Sequence, residues 1–441
     1  MNQQKNKGGN GPYVATLLLC LLLFSARVVG QLVQHISPVA FLPPFEAWQG
    51  SGMPYSALLT MQLVIVAAAS FIITRLAHGR ITPNPRTAAW LYWLGIPYFI
   101  AMLVRLLLGL GPLHEAAWFA ASIPAFFHIV LASMVLTLAH YHSSPAQRLR
   151  FRQAMRWAVY PGIMGLVVLA YYGLIAQGVS PVISSYVSGL LAAITITIAE
   201  ILLPYRAEWR PTRHDILHDS IFLLLIQVVL PNALTLLAAI GLQHWVVQSG
   251  IAADAWWPHH YPIWAQMLLM MFAADFLRYW LHRAFHTYHR LWPIHAVHHS
   301  VQKLYWLNVG RFHPLDKSLQ FLADVLPFIF LGVSQEVLTL YFVVYSVKGF
   351  FQHSNVDVRL GWLNYLISGP ELHRWHHSKI IRESNSNYGN NISVWDWLFG
   401  TFHYPKAQEV GDLGLFNRHY PMAFLSQMRA PFVRGLDKEA K

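Results

Sequence analysis

Eight stretches of this chain are apolar for long enough to cross a bilayer, and that constrains its fold more than any other feature. They fall at about 14–33, 56–74, 88–110, 117–139, 155–177, 184–204, 218–243 and 262–281. Some 20 apolar residues in a helix span the hydrocarbon core. The expected class is therefore all-α: a multi-pass transmembrane helical bundle. Two shorter runs, 319–333 and 336–352, sit close together and read as a hairpin that dips into the membrane or just crosses it. Only 11% of the residues are charged, against about 25% in a soluble domain.

The basic residues give the orientation. Lys5 and Lys7 precede the first run; Arg75, Arg80 and Arg86 follow the second; Arg148, Arg150 and Arg152 follow the fourth; Arg206, Arg210 and Arg213 follow the sixth. The alternate loops 111–116, 178–183 and 244–261 contain no Lys or Arg. Under the positive-inside rule the N-terminus is cytoplasmic, and the chain after about 281 begins on that side. A bacterial inner membrane is the expected location. The net charge of +12 is spread over these loops rather than gathered on one domain, which argues against a nucleic-acid partner. The first run has a second reading, as a cleaved signal peptide, because a short apolar core follows a basic start. The best boundary is the Arg- and Pro-containing stretch 206–217. It separates an N-terminal transmembrane region (1–205) from a catalytic domain (218–405), which a basic tail (406–441) follows.

Histidine carries the chemistry. Of 24 His, 14 lie between 259 and 403. His282 and His286 form an HxxxH pair; His295, His298 and His299 form HxxHH, as do His373, His376 and His377. Helical neighbours at i, i+3 and i+4 share a face, so each box is expected to aim its imidazoles at a common point. Eight imidazoles are too many for one ion but suit two ions with positions left open. Chance would supply on the order of 0.1 HxxHH strings at this His frequency, and two are present. The lone Cys20, inside the first run, excludes a thiolate cage and an intrachain disulfide.

Asp275, Arg278, His282 and His286 follow at helical spacing on one face. Asp275 can accept the second N–H of a ligand imidazole, or it can pair with Arg278 at a helix end. Spacing alone leaves His353 and His313 as ordinary interfacial histidines. His128 and Glu200, inside apolar runs, mark a second polar feature in the N-terminal half.

Residues 215–405 resemble the fatty acid hydroxylase superfamily, also called the sterol desaturase family. The resemblance rests on the boxes HRAFH (282–286), HAVHH (295–299) and HRWHH (373–377), and on the trailing strings NYGNN (387–391) and WDWLFGTF (395–402). It implies a non-haem diiron oxygenase, with a cytosolic helical cap holding two Fe ions. It also implies that His353 is a metal ligand, and it makes His313, in the family's Arg-x-His-Pro position, a further candidate. Zinc is an alternative occupant of purified protein, since imidazole binds both metals. Residues 1–205 have no recognised counterpart in the smaller members. The single Cys leaves no ferredoxin motif, and no cytochrome b5 motif is visible.

The expected activity is hydroxylation or desaturation of a lipid by O2, with electrons from a separate cytoplasmic reductant or electron-transfer protein. A pterin-dependent cleavage of ether lipids, as by alkylglycerol monooxygenase, is an alternative within the family. Two alternatives come from other classes. A metal transporter would place His and acidic groups near the midplane of spanning helices, whereas all three boxes lie beyond the last long run. A catalytically silent lipid-binding or scaffold protein would keep the metal site for stability; all eight box histidines are present, so nothing in the sequence supports loss of activity.

Overall fold

Proline and serine set most of the helix starts. Pro12, Pro85, Pro145 and Pro181 lie in the first turn of their helices, where a missing N–H costs nothing. Ser144 and Gln147 close a capping box, and Ser180 accepts the amide of Ile183. The computed structural model describes residues 10–50, 52–110, 115–249 and 256–436. Lys5 and Lys7, 111–114 and 250–255 of the expected external loops, and the last tail residues lie outside the described residues.

Helices α1 (Gly11–Ile36), α2 (Tyr55–Ala77), α3 (Pro85–Leu110), the single turn α4 (Ala117–Ala120), α5 (Ser122–His142), α6 (Pro145–Ala176) and α7 (Pro181–Leu202) occupy the N-terminal half. Then α8 (Arg213–Phe222) runs through a π-helical segment, Leu223–Val229, into α9 (Leu230–Ser249). Pro231 lacks the N–H that an α-helix would bond one turn back, so the ladder widens just before it. The remaining helices are α10 (Ile263–Thr287), α11 (Trp292–His299), α12 (Pro314–Asp324), α13 (Leu326–Phe330), α14 (Gln335–His353), α15 (Pro370–His376), α16 (Ile381–Ser384), α17 (Val394–Leu398) and α18 (Phe424–Arg429). Among the described residues there is no strand, only three isolated bridges.

Among the described residues, seven helical stretches are long and apolar enough to cross a membrane, from Gly11–Ile36 to Arg213–Gly241. They match the first seven runs of the sequence. The eighth run forms α10 but is not one of the seven: Gln266, Asp275 and Arg278 are buried along it, so its polar groups face protein rather than lipid. The hairpin also differs from expectation. Its first limb breaks at Val325 into α12 and α13, and α12 buries Asp316, Lys317, Gln320 and Asp324. Only the second limb, α14, is one long helix.

The chain divides into two compact units. The first holds residues 1–154 and 172–179; the second holds 155–171 and 180–441. In the first unit α1 packs on α2 and α5 around Leu17, Cys20, Ile73, Leu76 and Met134. In the second, α14 packs against α7 and α10, and α12 against α9 and α10. Gly310 meets the π-helical segment at close range: a Cβ there would lie 2.9 Å from Leu223 Cα. The side chain of Glu200, on α7, accepts the amides of Trp306 (2.7 Å) and Asn355 (2.9 Å), tying that helix to the segment around α14's C-terminus.

Removing the Glu200 acceptor should leave two amides unpaired. Glu200→Leu is expected to destabilise by about 1–3 kcal/mol per amide, whereas Glu200→Gln keeps an acceptor oxygen and should melt near wild type. Thermal melting of both variants in one detergent checks this; equal melting points for Leu and wild type would contradict it.

Candidate metal centre

Four helices deliver the candidate histidines. The last turns of α10 carry His282 and His286, α11 carries His295, His298 and His299, α14 ends on His353, and α15 carries His373 and His376 with His377 as its C-terminal cap. They form two groups whose ligand atoms lie within 4.8 Å of one another: His282, His286, His295, His299 and His376 in one, and His298, His353, His373 and His377 in the other. The boxes do not each aim at one point, as the sequence reading expected. Residues i+3 and i+4 diverge by about 100° around a helix, so each HxxHH box sends its i and i+4 histidines to one group and its i+3 histidine to the other. The two groups adjoin: the ring centroids of His299 and His377 are 4.7 Å apart.

Hydrogen bonds outside the groups fix the protons. Carbonyl oxygens only accept, so Nδ1–H is the donor in His282 to Tyr388 (2.8 Å), His298 to Arg311 (3.3 Å) and His376 to Ser386 (2.8 Å). His295 donates to the Asp316 carboxylate at 2.8 Å, and His286 and His353 to the side-chain oxygens of Asn385 and Asn308. Each of these rings is left with a bare lone pair on Nε2. Of the rings they meet, only in the His282–His295 pair are both Nδ1 protons committed; His299, His373 and His377 have no Nδ1 acceptor among the described residues and can carry the proton on Nε2. Nε2 of His282 is 3.0 Å from that of His295, and Nε2 of His286 is 3.1 Å from that of His299. In the second group, Nε2 of His377 is 3.2 Å and 3.1 Å from those of His298 and His373. Buried Nε2 of His353 and His376, and Nδ1 of His373 and His377, have no hydrogen-bond partner.

Lone pairs face to face repel unless a cation lies between them. Two nitrogens bound about 2.1 Å from one ion at a right angle would be about 3.0 Å apart, the spacing found here. Burial, and then the neighbouring imidazoles, hold His282, His286, His298, His299, His373 and His377 well below the usual histidine range; His353 and His376 are lowered to about 3. Neutral imidazole is the metal-binding form. The residues present therefore fit a pair of metal ions.

Two sequence candidates stand elsewhere. His313 caps α12: its Nδ1 accepts the Leu315 amide at 3.2 Å and its Nε2 donates to Met428 O at 3.3 Å, so it joins neither group. Asp275 touches no histidine and does not pair with Arg278, which binds Asp324 at 3.1 Å. Its carboxylate instead accepts the amides of Asn391 (2.6 Å) and Ile392 (2.5 Å) and the Asn391 side chain (2.7 Å). It thus clamps the segment whose Tyr388 carbonyl orients His282. Asp396 accepts the amides of Tyr388 and Gly389, both at 2.7 Å, while Lys348 and Gln352 hold the Asn390 carbonyl at 2.7 and 2.8 Å. Gly389 is required there, since a Cβ would lie 2.3 Å from Ile392 O.

The carboxylate that does orient a ligand imidazole is Asp316, fully buried and missed by the sequence reading. The signal was present: Asp316, Gln320 and Asp324 recur every four residues of α12, a polar stripe that an apolar average conceals. Gln320 donates to Asp316 at 2.7 Å.

The fold and site define a helical membrane protein with two adjoining histidine groups that could bind metal, and comparison narrows the class. The family model for fatty acid hydroxylases matches residues 267–401. The chain is 35% identical over 250 residues to the ornithine lipid hydroxylase OlsE of Rhizobium tropici, covering 55% of this chain and 74% of that one. It is 29% identical over 160 residues to the very-long-chain aldehyde decarbonylase GL1-11 of rice, Oryza sativa, covering 35% and 60% respectively. It is 25% identical over 180 residues to the alkylglycerol monooxygenase of Caenorhabditis elegans, covering 40% and 35%. No solved structure matches. The chain belongs to the fatty acid hydroxylase family, and it is an oxidoreductase acting as a lipid hydroxylase. The family is iron-dependent, and the histidine groups are able to bind metal.

Asp316→Asn should lower metal affinity about 10–100-fold, the usual cost of losing an outer partner of a ligand, and the loss should be confined to one of the two ions. Stepwise titration of apoprotein checks this; two equally weakened ions, or none, would be the contrary result.

Proposed function

We propose that the nine histidines hold two iron ions and that the chain inserts one atom of O2 into a C–H bond of a membrane lipid. The ornithine-lipid class is the first substrate to test, by similarity to OlsE. The reading is carried by one observation: the Nε2 lone pairs of His282 and His295 face each other 3.0 Å apart, with both Nδ1 protons committed elsewhere. When bound, such an iron pair supplies dioxygen activation for oxidation of an unreactive C–H bond. The protein's residues do the rest. The 385–392 segment and Asp316 orient the rings, and burial of the second group and of His295, His299 and His376 excludes water. Hydroxylation consumes O2, two electrons and two protons and releases water, so a separate reductant or electron-transfer protein completes the reaction. Catalysis is assigned to 218–405, with 206–217 leading into it and 406–441 as tail; 1–205 forms a membrane region.

We further place the site on the cytoplasmic side. Loop 203–213, with Arg206, Arg210 and Arg213, lies after the sixth span, and the histidine-bearing region is attached to it. The Tyr205 amide donates to Asn355 O at 2.9 Å, the Asp357 amide to Leu203 O at 2.8 Å, and Lys303 pairs with Asp215 at 2.5 Å.

Two experiments test the reading. Membranes containing the chain, supplied with reductant and heavy-isotope O2, should yield a lipid one labelled oxygen heavier. His298→Ala and His376→Ala, one from each group, should lower turnover more than about 100-fold, beyond the loss expected of an outer partner. A metal-replete, reduced protein that labels no lipid would overturn the activity. Reporter fusions at Ser143 and Lys303 should read cytoplasmic and one at Gly178 external; a Lys303 fusion reading external would overturn the sidedness.

A further inference from the structure

The first unit buries two arginines inside spanning helices. Arg27 on α1 is 6% exposed and Arg105 on α3 is 4% exposed, and neither has a carboxylate among the contacts of the described residues. Each donates to one backbone carbonyl, Arg27 Nη2 to Trp48 O at 3.1 Å and Arg105 Nε to Trp118 O at 3.0 Å, and the Arg105 guanidinium also lies 4.3 Å from the centroid of the Trp118 ring. A cation in a membrane helix is costly unless something offsets it. One carbonyl leaves most of a guanidinium's five donors to be satisfied.

The two side chains converge on one place. Arg27 meets the 37–54 loop at Trp48, and Arg105 meets it at Gly50, where a Cβ would lie 3.3 Å from Nη2. Arg27 also sits 5.8 Å from the ring of Phe127, the neighbour of His128, and both arginines act electrostatically on His128, whose Nδ1 is 2.5 Å from Tyr98 Oη. Around them are buried groups with no hydrogen-bond partner: four able to donate, Arg27 Nε, Arg105 Nη2, Gln31 Nε2 and Tyr55 Oη, and one acceptor, Gln62 Oε1. Gln31 and Gln62 are 0% and 2% exposed and hydrogen-bond to each other at 3.1 Å. The cluster is thus buried, doubly positive and rich in unused donors. That is the complement of a tetrahedral oxyanion, which offers several acceptor oxygens and negative charge to planar guanidinium forks.

We infer that Arg27, Arg105, Gln31 and Tyr55 form a phosphoryl-binding site in the N-terminal unit, separate from the histidine centre and independent of the hydroxylase reading. The phosphoryl group can come from a lipid headgroup or from a free phosphate, and the same residues would bind either.

The test is thermal melting of the full, delipidated chain in detergent. The probes are phosphatidylglycerol, diacylglycerol and inorganic phosphate. Wild type and Arg80→Gln, which removes an exposed cation, should both show a saturable rise in melting point with a phosphoryl probe. Arg27→Met and Arg105→Met should need at least about tenfold more probe, since a buried charged partner is gone. Should the Met variants not fold, Arg27→Lys and Arg105→Lys keep the charge but lose the fork, and they should also bind more weakly. A response to phosphatidylglycerol alone names a lipid headgroup; a response to inorganic phosphate as well names a free anion. No response to either, a response to diacylglycerol alone, or identical responses in wild type and the arginine variants would overturn the site.

Discussion

Everything at the centre depends on where six protons are. His282, His286, His295, His298, His353 and His376 each commit Nδ1–H to an oxygen outside the groups, and those oxygens come from two loop carbonyls, a carboxylate on a helix stripe, two asparagine side chains and a carbonyl beside a buried ion pair. Were one of these acceptors to move, its ring would be free to adopt the other tautomer and present N–H where a lone pair is needed. The surrounding scaffold is built to hold the acceptors still. The Arg311 carbonyl is anchored because its guanidinium is buried against Asp219 and over the ring of Phe222. The Tyr388 carbonyl is fixed because Asp275 and Asp396 grip the amides around it. Carboxylates far from any imidazole thereby decide imidazole geometry.

Much of this was legible in the sequence, and the failures share a cause. Apolar length found the seven spans, and histidine spacing found the three boxes, because both are local periodicities. What local periodicity cannot give is which way a side chain turns when two helical faces compete. The i+3 and i+4 histidines of one box were read as a single cluster, and only the packing of α10, α11, α14 and α15 separates them. Asp275 shared a face with His282 and His286, as expected of an unbroken α10, yet its partner came from a loop more than a hundred residues later. Asp316 was passed over because the apolar stretch beside it dominated the reading of α12. Averaging also hid Arg27 and Arg105 within apolar runs, where one charge hardly changes a mean hydropathy.

The trailing strings NYGNN and WDWLFGTF served at first only as marks of kinship, and the structure gives them physical content. Asp396 of the second string reaches back to the amides of Tyr388 and Gly389 in the first, Asn387 adopts φ 55°, and Gly389 has no room for a side chain. They are one folded loop whose carbonyls orient ligand rings.

That loop also dictates a schedule. A ribosome releases the first two boxes and His353 well before residues 373–396, which carry the last three imidazoles and the clamp that orients His282 and His376. Neither group is complete until nearly the whole chain has been made and its final short helices have folded back onto membrane helices inserted long before. Each group waits for histidines from the same late box, His376 in the first and His373 and His377 in the second. The two groups are thus completed together, by one short helix near the end of the chain.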